Sequence, residues 1–466
     1  MRNDVRKRNG ESERQRVPQP LIKHRIASGR GAMEQPNVTH DGEARLTLTF
    51  WFAVVVVGVA TGLLGDLLMW ILKLFEGWAF HFRAGSYQNA VASVSGLRRV
   101  ASLSIAGLFG AGSWYLIRRR FKGECSEIDD ALWRGSGELS WRRSFFTSVV
   151  SEVVIGMGAS IGREAAPKLM GGASGSVLSH WLKFSPAQQR LLVACGGGAG
   201  LAAVYNVPLG GAVFTAEVLY GNFALPVVMP ALATSFIATL VARVYLPSSA
   251  TYTDIPAFRF SASLMVWALA AGIIIGVVAV AYVRLISWVS HHRASGTRIL
   301  WMMPVAFVLV GCAGIWYPQL FGNGLDMAHQ SFLGVGTVGL LFALFALKPL
   351  VTALTLGSGA AGGLFTPFFS TGAVFGALLG TLWLHLWPGA PVGAFALVGA
   401  AAMIGASMQA PFAGLVLVME LTHGGFTIMM PMIAATVIAT VIVRHVDGYS
   451  IYSARLPQHE GPSSAL

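Results

Sequence analysis

Long apolar runs separated by short polar stretches dominate this chain from about residue 47 onward. Runs of spanning length fall at 47–77, 99–117, 226–245, 262–288, 300–316, 338–356 and 428–443. Each predicts a helix, because lipid offers no partner for a free backbone amide. Around 145–180, 189–222 and 360–420 the apolar sequence is instead interrupted by Gly and Pro. Those stretches are too broken for simple spans and too apolar for loops, which predicts partial-depth helices. Polar connections fall at 80–96 and 246–262, and the second divides the chain into two halves.

The halves are related. Gly162, Pro167 and Gly172 recur in order as Gly362, Pro367 and Gly372. Farther along, Asn206-Val-Pro208-Leu-Gly-Gly211 recurs as Gln409-Ala-Pro411-Phe-Ala-Gly414, and Glu217 as Glu420. The expected fold is therefore an all-α polytopic membrane protein built of two pseudo-symmetric halves with broken helices. The first half covers about 47–245 and the second about 262–456. Internal repeats of this kind place a transport site at their interface near the bilayer midplane. Sequence alone leaves open whether the halves are inverted.

Composition supports a membrane bundle, with 54% hydrophobic residues, 12% charged residues and 55 glycines that allow close helix contacts. The net charge of +12 is concentrated at the start, where residues 1–30 hold nine Lys/Arg against three acids. No nucleic-acid-binding module accompanies that charge, so no nucleic-acid partner is expected. Residues 1–46 read as a basic, disordered tail placed in the cytoplasm by the positive-inside rule. Two spans later, Arg118-Arg119-Arg120 and Lys122 return the chain to the same side. A short polar tail, 457–466, ends the sequence. Cys125, Cys195 and Cys312 match neither a metal nor a disulfide spacing, and no cofactor or metal is expected.

Four acids lie in apolar sequence, Glu152, Glu164, Glu217 and Glu420, where charge is costly and functional by default. Glu217 and Glu420 occupy equivalent places, which suggests a shared structural duty such as binding backbone amides. Glu164 has no acidic counterpart, because the equivalent position is Leu364. It stands in Gly158-Ala-Ser-Ile-Gly162-Arg163-Glu164-Ala-Ala-Pro167, a break that opens a helix. The companion break is Gly357-Ser-Gly359-Ala-Ala-Gly362-Gly363-Leu364-Phe365-Thr366-Pro367. Helix N-termini offer free N–H groups and about half a positive charge, which suits a chloride-sized anion. A glutamate beside them competes for those donors, and its protonation would free the site. Arg163 reads equally as a source of positive potential at the pore entry or as an interfacial anchor.

These motifs resemble the CLC family of chloride channels and chloride/proton antiporters, over nearly all of residues 47–456. Gly162-Arg163-Glu164-Ala-Ala-Pro167 resembles the family's gating-glutamate motif, and Gly363-Leu364-Phe365-Thr366-Pro367 its GxFxP motif. Ile451-Tyr452-Ser453-Ala454 resembles the segment that supplies a pore-lining tyrosine. The resemblance implies a prokaryotic-type homodimer in the plasma or inner membrane, without C-terminal regulatory domains. It also implies Glu164 as gate, with Leu364 and Phe365 N–H and the Tyr452 hydroxyl holding the anion. Three departures qualify it. The serine motif is degraded to Lys122-Gly123-Glu124-Cys125-Ser126-Glu127-Ile128, so Gly123 falls at the serine position. Val218 stands where antiporters usually carry an internal proton-loading glutamate, and Ala165 replaces a glycine. The expected activity is passage of chloride or similar monovalent anions, channel-like because of Val218. The alternatives are proton-coupled antiport and, less favoured, fluoride export. No enzyme is expected: Ser160 lacks a convincing base, and His291-His292 lacks a second ligand pair.

Overall fold

The structure, a computed structural model, describes residues 44–456 except 123, 124, 126 and 136. The expected residues of the two tails (1–43 and 457–466), with Gly123 and Ser126 of the degraded motif, lie outside the described residues. Before the 246–262 connection run α1 (Leu48–Phe80), α2 (Tyr87–Ser93), α3 (Gly96–Arg120), α4 (Ile128–Arg134) and α5 (Trp141–Gly156). They are followed by α6 (Ala165–Trp181), α7 (Pro186–Tyr205), α8 (Pro208–Phe214) and α9 (Leu225–Ala242). After the connection come α10 (Ala262–His291), α11 (Ile299–Trp316), α12 (Leu325–Phe332) and α13 (Val338–Gly357). The series ends with α14 (Phe365–Trp383), α15 (Val392–Met408), α16 (Pro411–Thr422) and α17 (Met429–Val446).

Among the described residues, eight helical segments are long and apolar enough to cross a membrane, one more than the apolar runs predict. The addition is Phe365–Trp383, whose most apolar window is 83% buried inside the protein, against 39–56% for the others. It lies within the bundle rather than against lipid, and its N-terminal break hides it from a search for uninterrupted runs. The other segments present outward rows such as Leu63, Leu67, Trp70 and Leu74 of α1 to the bilayer.

Equivalent helices of the halves run in opposite directions. Arg143, near the start of α5, donates to the Phe121 carbonyl just past α3. Arg118, near the end of α3, donates to the carbonyls of Ala294 and Gly359, just past the end of α13. The end of the bundle where α5 begins is thus the end where α13 finishes. The repeat is inverted, which brings the starts of α6 and α14 toward each other from opposite sides.

Glycine makes the inner packing close. A Cβ on Gly171 of α6 would stand 2.0 Å from the Gly196 carbonyl oxygen of α7, and one on Gly372 of α14 would stand 2.4 Å from the Met403 Cβ of α15. Side chains there would force apart the helices that position the two breaks. The paired motifs also have matching backbones. Asn206 and Gln409 each end a helix in the left-handed conformation, at φ 55° and 57°, and Pro208 and Pro411 each open the next one. Proline suits that first turn because no amide is needed there.

The repeated acids cross between halves. Glu217 accepts from the N–H groups of Phe412 and Ala413, at 3.3 and 2.6 Å, at the start of α16. Glu420 accepts from those of Leu209 and Gly210, at 3.1 and 2.5 Å, at the start of α8. Each carboxylate thereby satisfies orphan amides and meets the positive end of a helix dipole in the opposite half.

Candidate functional site: a carboxylate between two helix N-termini

The two breaks meet as a pair of extended backbones. Gly162 N–H donates to the Gly363 carbonyl at 2.8 Å, and Gly363 N–H to the Gly162 carbonyl at 2.7 Å. A Cβ on Gly162 or Gly363 would lie 2.3 or 1.9 Å from the Glu164 Oε1 atom, so a side chain at either position would displace the carboxylate. The first break is braced from behind. Lys348 of α13 is fully buried and donates to the Ser160 hydroxyl and to the carbonyls of Gly322 and Leu320.

Glu164 stands at the N-cap position of α6, but its side chain does not cap that helix. The carboxylate crosses to the start of α14, where Oε1 accepts the Phe365 N–H at 2.8 Å. Oε2 accepts the Thr366 hydroxyl at 3.1 Å and the Tyr205 hydroxyl at 3.2 Å. Tyr205 and Thr366 are themselves 2.6 Å apart. Glu164 has no exposed surface. Three donors thus fix the carboxyl group at the start of α14; hydrogen bonds to a charged group contribute roughly 1.5–3 kcal/mol each.

Cavities lie on both sides of it. The larger, of about 470 Å³, is lined by Arg163, Tyr205, Glu76, Asp326 and Lys73 among others. The smaller, of about 50 Å³, lies toward the Arg118 end and includes Gly363, Leu364, Tyr452, Lys168, Ser148 and Arg455. Glu164 lines neither cavity, while its neighbours Arg163 and Ala165 line one each. The carboxylate therefore stands where the linings of the two cavities meet, against one backbone N–H and two hydroxyls.

The residues expected from sequence do not all serve alike. Glu164, Leu364, Phe365 and Tyr452 gather at this junction. Gly162 contributes by lacking a side chain; its N–H is already given to Gly363 and is not free for an anion. Arg163 faces the larger cavity, with its guanidinium 5.1 Å from the Tyr205 ring centroid. The Tyr452 hydroxyl has one weak partner, the Met408 sulfur at 3.9 Å. Glu152 is fully buried, and neither carboxyl oxygen has a hydrogen-bond partner among the described residues. Val218 is buried in a π-helical turn, Thr215–Tyr220, that continues α8. Cys125, Cys195 and Cys312 are free thiols.

Sequence reading missed Tyr205, Thr366 and Lys168. Thr366 stood inside a quoted motif, and Tyr205 directly precedes Asn206. Lys168 is a cation four residues after Glu164, hence on the same helix face. At the mouth of the smaller cavity, Glu127 forms ion pairs with Arg293 at 3.0 Å and Arg455 at 2.8 Å. Burial would raise its carboxyl, but Arg455, Arg293 and Arg118 outweigh that and hold it at about 2.

Inverted repeats, broken helices and a carboxylate on a helix N-terminus between two cavities define a multi-pass membrane protein of the ion-transport class. The chain belongs to the voltage gated chloride channel family, or CLC family, whose model matches residues 106–444. It is 30% identical over 414 residues to a ClcB-like protein of Ralstonia nicotianae, covering 85% of this chain and 94% of that one. It is 28% identical over 387 residues to the voltage-gated ClC-type chloride channel ClcB of Citrobacter koseri, covering 80% and 91%. Among solved structures, it shares its fold with a slow cyanobacterial Cl⁻/H⁺ antiporter. That likeness has a TM-score of 0.77 and 24% identity over 88% of this chain and 97% of that one.

Proposed function

We propose that this protein passes chloride, or a similar monovalent anion, through a pore that the Glu164 side chain closes. The observation that carries this reading is the Glu164 carboxylate, held by the Phe365 N–H, with its chain neighbours Arg163 and Ala165 each lining a different cavity. A permeating anion needs the same donors, so it can pass only when the carboxylate leaves them. Protonation removes the charge that holds the side chain, which makes conduction depend on pH. Weak, shared donors then let the anion leave as readily as it enters. Leu364 and Phe365, with the Tyr452 hydroxyl, form the inner coordination, and Arg163 attracts anions into the larger cavity.

The N-terminus is assigned to the cytoplasm of a plasma or inner membrane, which puts the Arg118 end inside and the larger cavity outside. We propose a homodimer with a complete pore in each subunit; monomer alone on cross-linking in mild detergent would argue against that pairing. Val218, buried and apolar, supports uncoupled conduction. The alternative is proton-coupled exchange, supported by Glu152, a buried acid with no hydrogen-bond partner among the described residues. The fold is also shared with a CLC-type fluoride/proton antiporter, at a TM-score of 0.67 and 20% identity. Fluoride export is the less favoured variant.

Efflux from proteoliposomes in chloride, nitrate or fluoride, with external pH recorded together, separates these modes. The expected result is chloride flux that drives no protons uphill. Uphill proton movement would replace the channel reading with antiport, and absence of anion flux in every condition would reject the proposal.

A further inference from the structure

Lys168 is a charged residue whose surroundings the gate does not explain. It lies one turn into α6, its N–H donating to the Glu164 carbonyl at 3.2 Å, and it is only 5% exposed. Its ammonium stands 4.9 Å from the centroid of the Tyr452 ring and 5.2 Å from that of Phe214. Those two rings meet edge to face at 5.9 Å. Among the described residues, no carboxylate comes within ion-pair distance of its ammonium and no side-chain hydrogen bond reaches it. Glu127 is engaged by Arg293 and Arg455. Asp129, in the first turn of α4, is the acid that acts on Lys168 electrostatically, from beyond contact. Lys168 lines the smaller cavity beside Leu364, Gly363 and Tyr452.

Burying an ammonium costs more than two ring faces return, so its remaining donors call for an anion. The cavity is roomy enough for one, and the Tyr452 hydroxyl beside it has only a sulfur partner. We infer that Lys168 supplies a fixed positive charge to the inner anion site, its ammonium binding the permeating halide together with the Leu364 amide and the Tyr452 hydroxyl. This rests on the transport reading above. It also gives the inner site a cation where the degraded serine motif places Gly123, which has no hydroxyl. An ammonium is a compact, strongly hydrated point charge. It therefore favours the smaller, harder halide over nitrate more than backbone amides alone would.

Lys168→Met and Lys168→Arg, made in full-length protein carrying Glu164→Gln so that the carboxylate does not compete, separate charge from packing. Chloride binding is read by calorimetry in detergent, and nitrate-to-chloride selectivity by liposome flux. Lys168→Arg should bind chloride within about threefold of its parent. Lys168→Met should bind at least about tenfold more weakly and pass nitrate relatively better, with an unchanged size-exclusion profile. Should Lys168→Met not fold, Lys168→Gln takes its place. Chloride affinity and selectivity unchanged in the folded neutral variant would overturn the inference and leave Lys168 as a brace for the two rings. Failure of the parent itself to bind or pass chloride would instead reject the transport reading, and this inference with it.

Discussion

At the residue scale, the proposed gate depends on competition for a few donors. The Phe365 N–H and the hydroxyls of Thr366 and Tyr205 all point at the Glu164 carboxylate. Each donor that is lost loosens the closed position without altering the glycine bridge behind it. Thr366→Val keeps the shape and removes one hydroxyl, and it also leaves Tyr205 without its 2.6 Å partner. We expect this variant to raise chloride flux at neutral pH several-fold, read in proteoliposomes against the wild type. Flux at the wild-type level would mean that Thr366 takes no part in holding the gate. The sequence made Glu164 legible because it is an acid at a break with no counterpart in the other half. It could not show where the carboxylate turns. Glu164 opens α6 but binds α14, and that follows from the inverted packing rather than from any local pattern. Lys168 was legible by the same logic of intramembrane charge; a search confined to acids passes over it.

At the scale of elements, the breaks were legible from Gly and Pro in apolar sequence, and the repeat from matched motifs. The direction of the repeat was not, since an inverted and a parallel pair give the same motif order. The interior position of α14 was hidden for a related reason, because only packing decides whether an apolar helix faces lipid or protein. Long-range ties such as Glu127 to Arg293 and Arg455 join α4 to the segments after α10 and α17, closing the mouth of the smaller cavity. With its folded value near 2, below the ordinary value of 4.5, Glu127 stabilises the fold when ionised. That stabilisation is full above about pH 4.5 and is lost as pH falls through about 2. Glu127→Gln should therefore melt below the wild type at pH 6–8, with the gap closing as pH approaches 2. A gap that stayed constant through the acid range would place its origin in packing instead.

At the scale of the whole molecule, the inverted halves do something neither does alone. Each contributes one helix start, and their opposed directions aim both at a single point inside the bundle. The seven longest apolar runs, the repeat and the family motifs sufficed for the fold class. The function of the point where the halves meet depends on whether one carboxylate blocks the way between two cavities. The most direct measurement compares chloride flux through wild-type protein and Glu164→Gln in proteoliposomes from pH 4.5 to 7.5. A glutamine has the shape of the protonated acid but no charge to hold it in the site. The account predicts that wild-type flux rises with acidity, whereas Glu164→Gln conducts equally at every pH, at or above the wild-type maximum. A Glu164→Gln variant that kept the wild-type pH dependence would contradict it and assign the gate to another group.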